Sequence, residues 1–338
     1  MIRYIKVESA RTARGLVAEV YAQMRKEFGV LGEPITLHSP VPDLLAGVWS
    51  SFRESVLAGD VPRPVKEAVA VAISRLNRCP YCADAHTVML RATANHHAAG
   101  AIRNDRDDEI GDPVIRAFVR WARASRSSGA MELATPPFSP RQAPEIVGTA
   151  LWIHYINRMS KVFIEGSLIP ITSNTLGLRS LSERMGGLYF ASVARKRFAP
   201  GESLRLLKGA SHYPDFEWAA GSASISVAFA SFAHAADRVG ASALSPEVRA
   251  RVANHIRNWD GADPGPEPGW MTSALKGLNT SESAGARLAL LAALAPDRID
   301  EKCIGAFRSM APADDALLGA VAWSSLAAAR RISSWICG

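Results

Sequence analysis

The chain of 338 residues reads as an all-α protein. Three observations predict this. Alanine is abundant, and hydrophobic residues make up 48% of the sequence, enough for a substantial core. Val, Ile and Thr runs with period-two alternation, the mark of half-buried strands, are scarce. Apolar residues recur instead at helical spacing in nearly every long segment.

The elements follow in order. Ser51-Phe52 lies in an Ala/Phe/Ser-containing helix. Arg63 to Leu76 is a second helix: Pro64 suits its first turn, and Val65, Ala68, Val69, Ala72, Ile73 and Leu76 recur on one face. Asn77-Arg78 makes a short break. Pro80 then occupies a favoured first-turn position of another helix, expected to run to about His97, with His96-His97 as cations at its C-terminus. Ala134 to Pro144 is a proline-rich break, either a loop over the site or a connector. Gly148, Trp152 and His154 share a later helix. Trp152 reads as a core aromatic, and His154 as a satisfied core or surface histidine. Turn signals at Pro200-Gly201 and His212-Tyr213-Pro214 place a boundary near residues 200 to 215.

Beyond that boundary the landmarks recur. Ser231-Phe232 echoes Ser51-Phe52, and Ser245-Pro246 starts a helix with an N-cap and Pro at the first position. Val248 to Ile256 resembles Val65 to Ile73 at a shift of 183 residues, and Gly319 and Trp323 match Gly148 and Trp152 at a shift of 171. This suggests tandem pseudo-repeats, with residues 1–205 and 206–338 as the two units. One larger helical domain is the competing reading.

Cys79-Pro80-Tyr81-Cys82, with Glu67 before and His86 after, concentrates the chemistry. Two thiols at this spacing can close and reopen a small disulfide ring. Cys79 falls at a helix start, where the dipole and free N–H groups favour a thiolate. Cys-x-x-Cys thiols so placed have pKa values lowered to roughly 3.5–7.5. Cys82 and His86 are four apart and share a helical face. Glu67 reaches the same pocket if the two helices form a hairpin. A zinc site is one alternative, but the usual second ligand pair downstream is missing. A structural disulfide would close too small a loop to constrain the unfolded chain much. The third alternative is chance placement of buried small residues. Moved by 183 residues, the four site positions become Ala250, Ala262, Gly265 and Gly269, so a second copy would be chemically empty, with Gly261 to Pro268 as a loop. Cys303 reads as a core residue, and Cys337, near the C-terminus, as exposed.

These residues resemble a known family. Glu67, eleven residues, Cys79-Pro80-Tyr81-Cys82, three residues and His86 is similar to the core motif of the alkylhydroperoxidase D-like branch of the carboxymuconolactone decarboxylase family. His154-Tyr155-Ile156-Asn157-Arg158 resembles that family more weakly. The resemblance implies its helical fold and a thiol-dependent peroxidase or disulfide oxidoreductase. Cys82 would attack peroxide, Cys79 would donate a proton and resolve the sulfenic acid, and Glu67 and His86 would relay protons. Pro80-Tyr81 departs from the His-containing pair of the best-studied branch. The implied partners are a peroxide, a thiol or dithiol reductant, and further copies of the chain in a homo-oligomer, with no cofactor or metal. A non-catalytic scaffold with an inherited site is the alternative from another class. A lactone decarboxylase comes third, because that chemistry does not depend on a Cys-x-x-Cys pair.

The net charge is +7, and the basic residues are dispersed, Arg195-Lys196-Arg197 being the densest cluster. No nucleic-acid motif accompanies them. Apolar runs such as Leu288 to Leu294 are far short of a membrane span, and Met1 to Lys6 leads into a charged segment unlike a signal peptide. The expected location is cytoplasmic, where thiols stay reduced.

Overall fold

A computed structural model describes residues 1–169, 178–209, 213–266 and 268–337. His212 of the expected boundary turn and Glu267 of the Gly261–Pro268 loop lie outside them. The described residues are helical, with no strand beyond isolated bridges at Ile2–Ile164 and Ala58–Phe198. The early helices are α1 (Gly15–Phe28), α2 (Glu33–Thr36) and α3 (Pro42–Phe52), the last running into a π-helical turn, Arg53–Leu57. There follow α4 (Arg63–Leu76), α5 (Pro80–Ala92), α6 (His96–Arg103), α7 (Pro113–Ala124), α8 (Met131–Ala134), α9 (Ala143–Phe163) and α10 (Leu178–Ala194). The later helices are α11 (Ala223–Ala243), α12 (Pro246–Arg257), α13 (Gly269–Leu275), α14 (Thr280–Leu294), α15 (Glu301–Arg308) and α16 (Asp314–Ile336). None among the described residues is long and apolar enough to cross a membrane.

Local chemistry sets the helix ends. Asp112 caps α7 by accepting from the N–H groups of Val114 (2.8 Å) and Ile115 (3.2 Å). Ser245 caps α12 through the Val248 N–H (3.2 Å), as its sequence predicts. Asn279 and Glu282 form a capping box at α14. The reading of α5 as running to His97 is corrected. The Thr93 hydroxyl turns back to the Leu90 carbonyl (2.6 Å), and Ala94 adopts φ +67, so the helix stops at Ala92. His96-His97 open α6 instead, where the helix dipole does not favour a cation.

One apolar core runs from Ile5 to Ile336 and joins both halves. Helices α4 and α9 are buried on nearly all sides within it. The repeat landmarks fall on α3 and α11, α4 and α12, and α9 and α16. Helices α3 and α11 approach so closely that a Cβ on Gly47 would come within 2.7 Å of the Phe232 Cα, so only glycine fits. Trp152 and Trp323 are core aromatics, and Trp152 donates its indole N–H to the Val48 carbonyl (3.0 Å). Cys303 is buried as expected. Cys337 is half-buried, its thiol donates to the Ser333 carbonyl (2.7 Å), and burial pushes its pKa up to about 12. The break before α9 packs Phe138 edge-on against Trp121 at 5.0 Å.

Two clusters of buried ions tie this core together. The Arg53 guanidinium bonds Glu27 (2.6 Å) and Glu54 (2.7 Å), tying α1 to the end of α3. Lys66 is held by Glu145 and by the Ala58 carbonyl (2.6 Å). Such groups would be costly unpaired.

His38 gives the fold a pH dependence. Its Nδ1–H donates to the Ile35 carbonyl (3.0 Å), so Nε2 accepts from the Tyr155 hydroxyl (2.7 Å). Burial holds its pKa at about 4 against an ordinary 6.5. The folded state therefore binds fewer protons than the unfolded state between these values. Stability is full above pH 6.5 and falls as the pH drops towards 4, by about 3 kcal/mol from this group. Urea unfolding across this window should show a shallower decline for His38→Gln than for the native chain. Equal slopes would contradict the assignment.

Candidate active site

Helices α4 and α5 pack as a hairpin, and the turn between them carries the thiols. Arg78 takes φ +53, an uncommon conformation for a residue with a side chain. The Cys79 N–H then donates to the Ser74 carbonyl (2.9 Å), and Cys79 becomes the N-cap of α5 with Pro80 at the first helical position. Cys79 and Cys82 lie side by side with their sulfurs in contact and their Cα atoms 5.4 Å apart. Their residues are only 2% and 3% exposed. Pro80 beside them is exposed. Burial, then the Glu33 carboxylate, keeps the intervening Tyr81 phenol protonated well above its ordinary range.

His86 lies one turn beyond Cys82 on the same face of α5. Its Nδ1 is 2.7 Å from Glu67 Oε2, across the hairpin on α4. An ionised carboxylate only accepts, so Nδ1 carries the proton and donates it to Glu67. Burial alone would raise the pKa of Glu67, but the Arg63 guanidinium, followed by His86, holds it below the ordinary value. Arg63 Nε lies 2.6 Å from Glu67 Oε1. The sequence reading missed Arg63, although its position four residues before Glu67 on one helix was a visible clue. The four sequence-predicted residues are thus gathered at one hairpin.

Helix α9 braces the turn from behind. Asn77 donates to Asn157 Oδ1 and to His154 Nδ1, both at 3.0 Å. With Nδ1 accepting, His154 Nε2–H donates to the Ser125 hydroxyl (2.9 Å), which in turn donates to the Ala122 carbonyl (2.6 Å). Burial, then Arg158 and Arg126, holds the His154 pKa well below 6.5. His154 is therefore a neutral structural link, as its sequence context predicts. The Asn77 carbonyl accepts from Lys161 Nζ (3.1 Å). Helix α10 covers the far end of α5, where Arg91 holds Glu183 at 3.0 Å. Among the described residues, no group of three or more His, Cys, Asp or Glu is placed to hold a metal ion.

The site is thus an all-α hairpin with a Cys-x-x-Cys pair at a helix start and a Glu–His contact beside it. The chain belongs to the alkylhydroperoxidase D-like/carboxymuconolactone decarboxylase family. The pattern of the carboxymuconolactone decarboxylase family matches residues 43–124, from α3 to the end of α7. Over 335 residues the chain is 38% identical to a Mycobacterium tuberculosis protein named alkyl hydroperoxide reductase, covering 99% of this chain and 95% of that protein.

Proposed function

We propose that this protein is a thiol-dependent hydroperoxide reductase that cycles between a Cys79/Cys82 dithiol and the disulfide. The observation that carries the reading is the Glu67–His86 contact at 2.7 Å, one helical turn from a Cys-x-x-Cys pair at a helix N-terminus. The name of the M. tuberculosis relative supports peroxidase chemistry at the level of the family. In this reading the Cys82 thiolate attacks the peroxide. An S–O bond forms, the O–O bond breaks, and the departing alkoxide takes a proton relayed through His86. Cys79 then attacks the Cys82 sulfenic acid, and the S–S bond forms as water leaves. A thiol or dithiol reductant restores the pair. The second half carries no site residue: Ala250, Ala262, Gly265 and Gly269 stand at the shifted positions.

Near-complete burial of both cysteines favours a second reading, a scaffold with an inherited, inert site. One experiment separates the two. The reduced protein is exposed to mild peroxide, alkylated and mapped by peptide mass. The peroxidase reading expects a Cys79–Cys82 bridged peptide that dithiol treatment removes. Two fully alkylatable cysteines after oxidation, with no bridged peptide, would sink it.

A further inference from the structure

Basic residues that look dispersed in the sequence meet in one place. A cavity of about 280 Å³ opens between the halves, with Arg78, Arg126, Arg158 and Lys161 on one side and Gly261 and Asp263 on the other. The charges there do not balance. Lys161 is paired with Asp297 at 3.1 Å, and Asp263 with Arg298 at 2.9 Å. Arg123, on the same wall, is engaged by Asp105 and Asp107. Arg126 donates only to the Gly261 carbonyl (3.0 Å), and Arg158 only to the carbonyls of Ala293 and His154, both at 2.7 Å. Among the described residues, Arg78, Arg126 and Arg158 have no carboxylate within ion-pair distance.

Arg126 and Arg158 also crowd each other. Each guanidinium carbon lies 5.8 Å from the Trp259 ring centroid. Burial, with the charge of Arg126 behind it, pulls Arg158 down to about 9. Gathered like charges at a partly dry site are costly without a counter-charge. The opposite wall is built to close approach: Gly261 has φ +101, and a Cβ there would collide with the Arg126 carbonyl at 2.0 Å.

We propose that this cavity binds a small oxyanion of the phosphate class, seated on the guanidiniums of Arg78, Arg126 and Arg158. Guanidinium forks match phosphate oxygens in bidentate fashion. Three cations without an ion-paired carboxylate suit a phosphate dianion better than a monocarboxylate, although Asp263 and Asp297 act on Arg126 from further off, and the volume suits a small ligand. Arg78 directly precedes Cys79, so the bound anion holds the residue that leads into the redox turn.

Calorimetric titration of the reduced, full-length protein with inorganic phosphate, at ionic strength fixed by NaCl, tests this. Saturable one-to-one binding is expected. Arg126→Gln and Arg78→Gln should each weaken it roughly tenfold or more, the scale of a lost charged hydrogen bond. Arg195→Gln, which removes the same charge at an exposed position, should leave binding unchanged. Arg158 is largely buried, so its replacement would test folding more than binding. Arg78 is exposed, so its variant keeps the test valid if Arg126→Gln is destabilised. Absence of saturable heat, or equal weakening by Arg195→Gln, would overturn the site. Tighter binding of succinate than of phosphate would overturn the phosphate assignment.

Discussion

Cys82→Ser is expected to abolish hydroperoxide turnover, whereas Cys79→Ser should leave a sulfenic acid stranded on Cys82. The two outcomes differ because the proposed cycle gives the two sulfurs different work. Cys82 shares its helical face with His86, and the proposed cycle therefore makes its thiolate the nucleophile. A serine hydroxyl is too weakly acidic to replace it. Cys79 is the N-cap of α5, and in the proposed cycle it acts only after the first oxidation, attacking the sulfenic sulfur as water leaves. Stopped-flow peroxide consumption with a sulfenic-acid trap distinguishes the roles. An adduct retained in Cys82→Ser and lost in Cys79→Ser would reverse them.

His86→Ala and Glu67→Ala should each slow peroxide reduction by roughly 10²-fold or more, the scale of lost general acid–base help. In the proposed relay His86 carries the proton, and Glu67 orients its ring from 2.7 Å away. Glu67→Ala also strands the Arg63 guanidinium in a nearly buried position, at a cost of about 3 kcal/mol. That cost follows the sign of the Glu67 shift. Its folded pKa lies below the unfolded one, so the Glu67 contribution is present above the ordinary carboxylate range and is lost only as pH falls through the lowered value. Unfolding measured alongside kinetics separates the two losses. Unchanged rates in both variants would mean that no relay operates.

What the sequence disclosed was local. Helix α4 runs from Arg63 to Leu76 as its periodicity predicts, because Pro64 and the apolar face act within a few turns. The start of α5 was legible from Pro80 for the same reason. Its end was not, since the stop depends on the backbone reversal at Ala94, an alanine with no turn preference of its own. The Glu67–His86 contact needed the hairpin to form, so spacing could offer it only as a condition. The brace from Asn77 to His154 and Asn157 spans about eighty residues of chain, and nothing in local pattern announces it. The cationic cavity is similar: Arg78, Arg126 and Arg158 share no local pattern until the ends of α4 and α7 meet α9.

The central claim is that the two thiols act as one two-electron centre. Single-turnover titration of the pre-reduced protein with an organic hydroperoxide tests it most directly, with free thiols and product alcohol counted together. The account predicts one alcohol formed for every two thiols lost, with the loss confined to a Cys79–Cys82 bridge. Alcohol formation without loss of these thiols, or intact thiols and unreacted hydroperoxide, would contradict it.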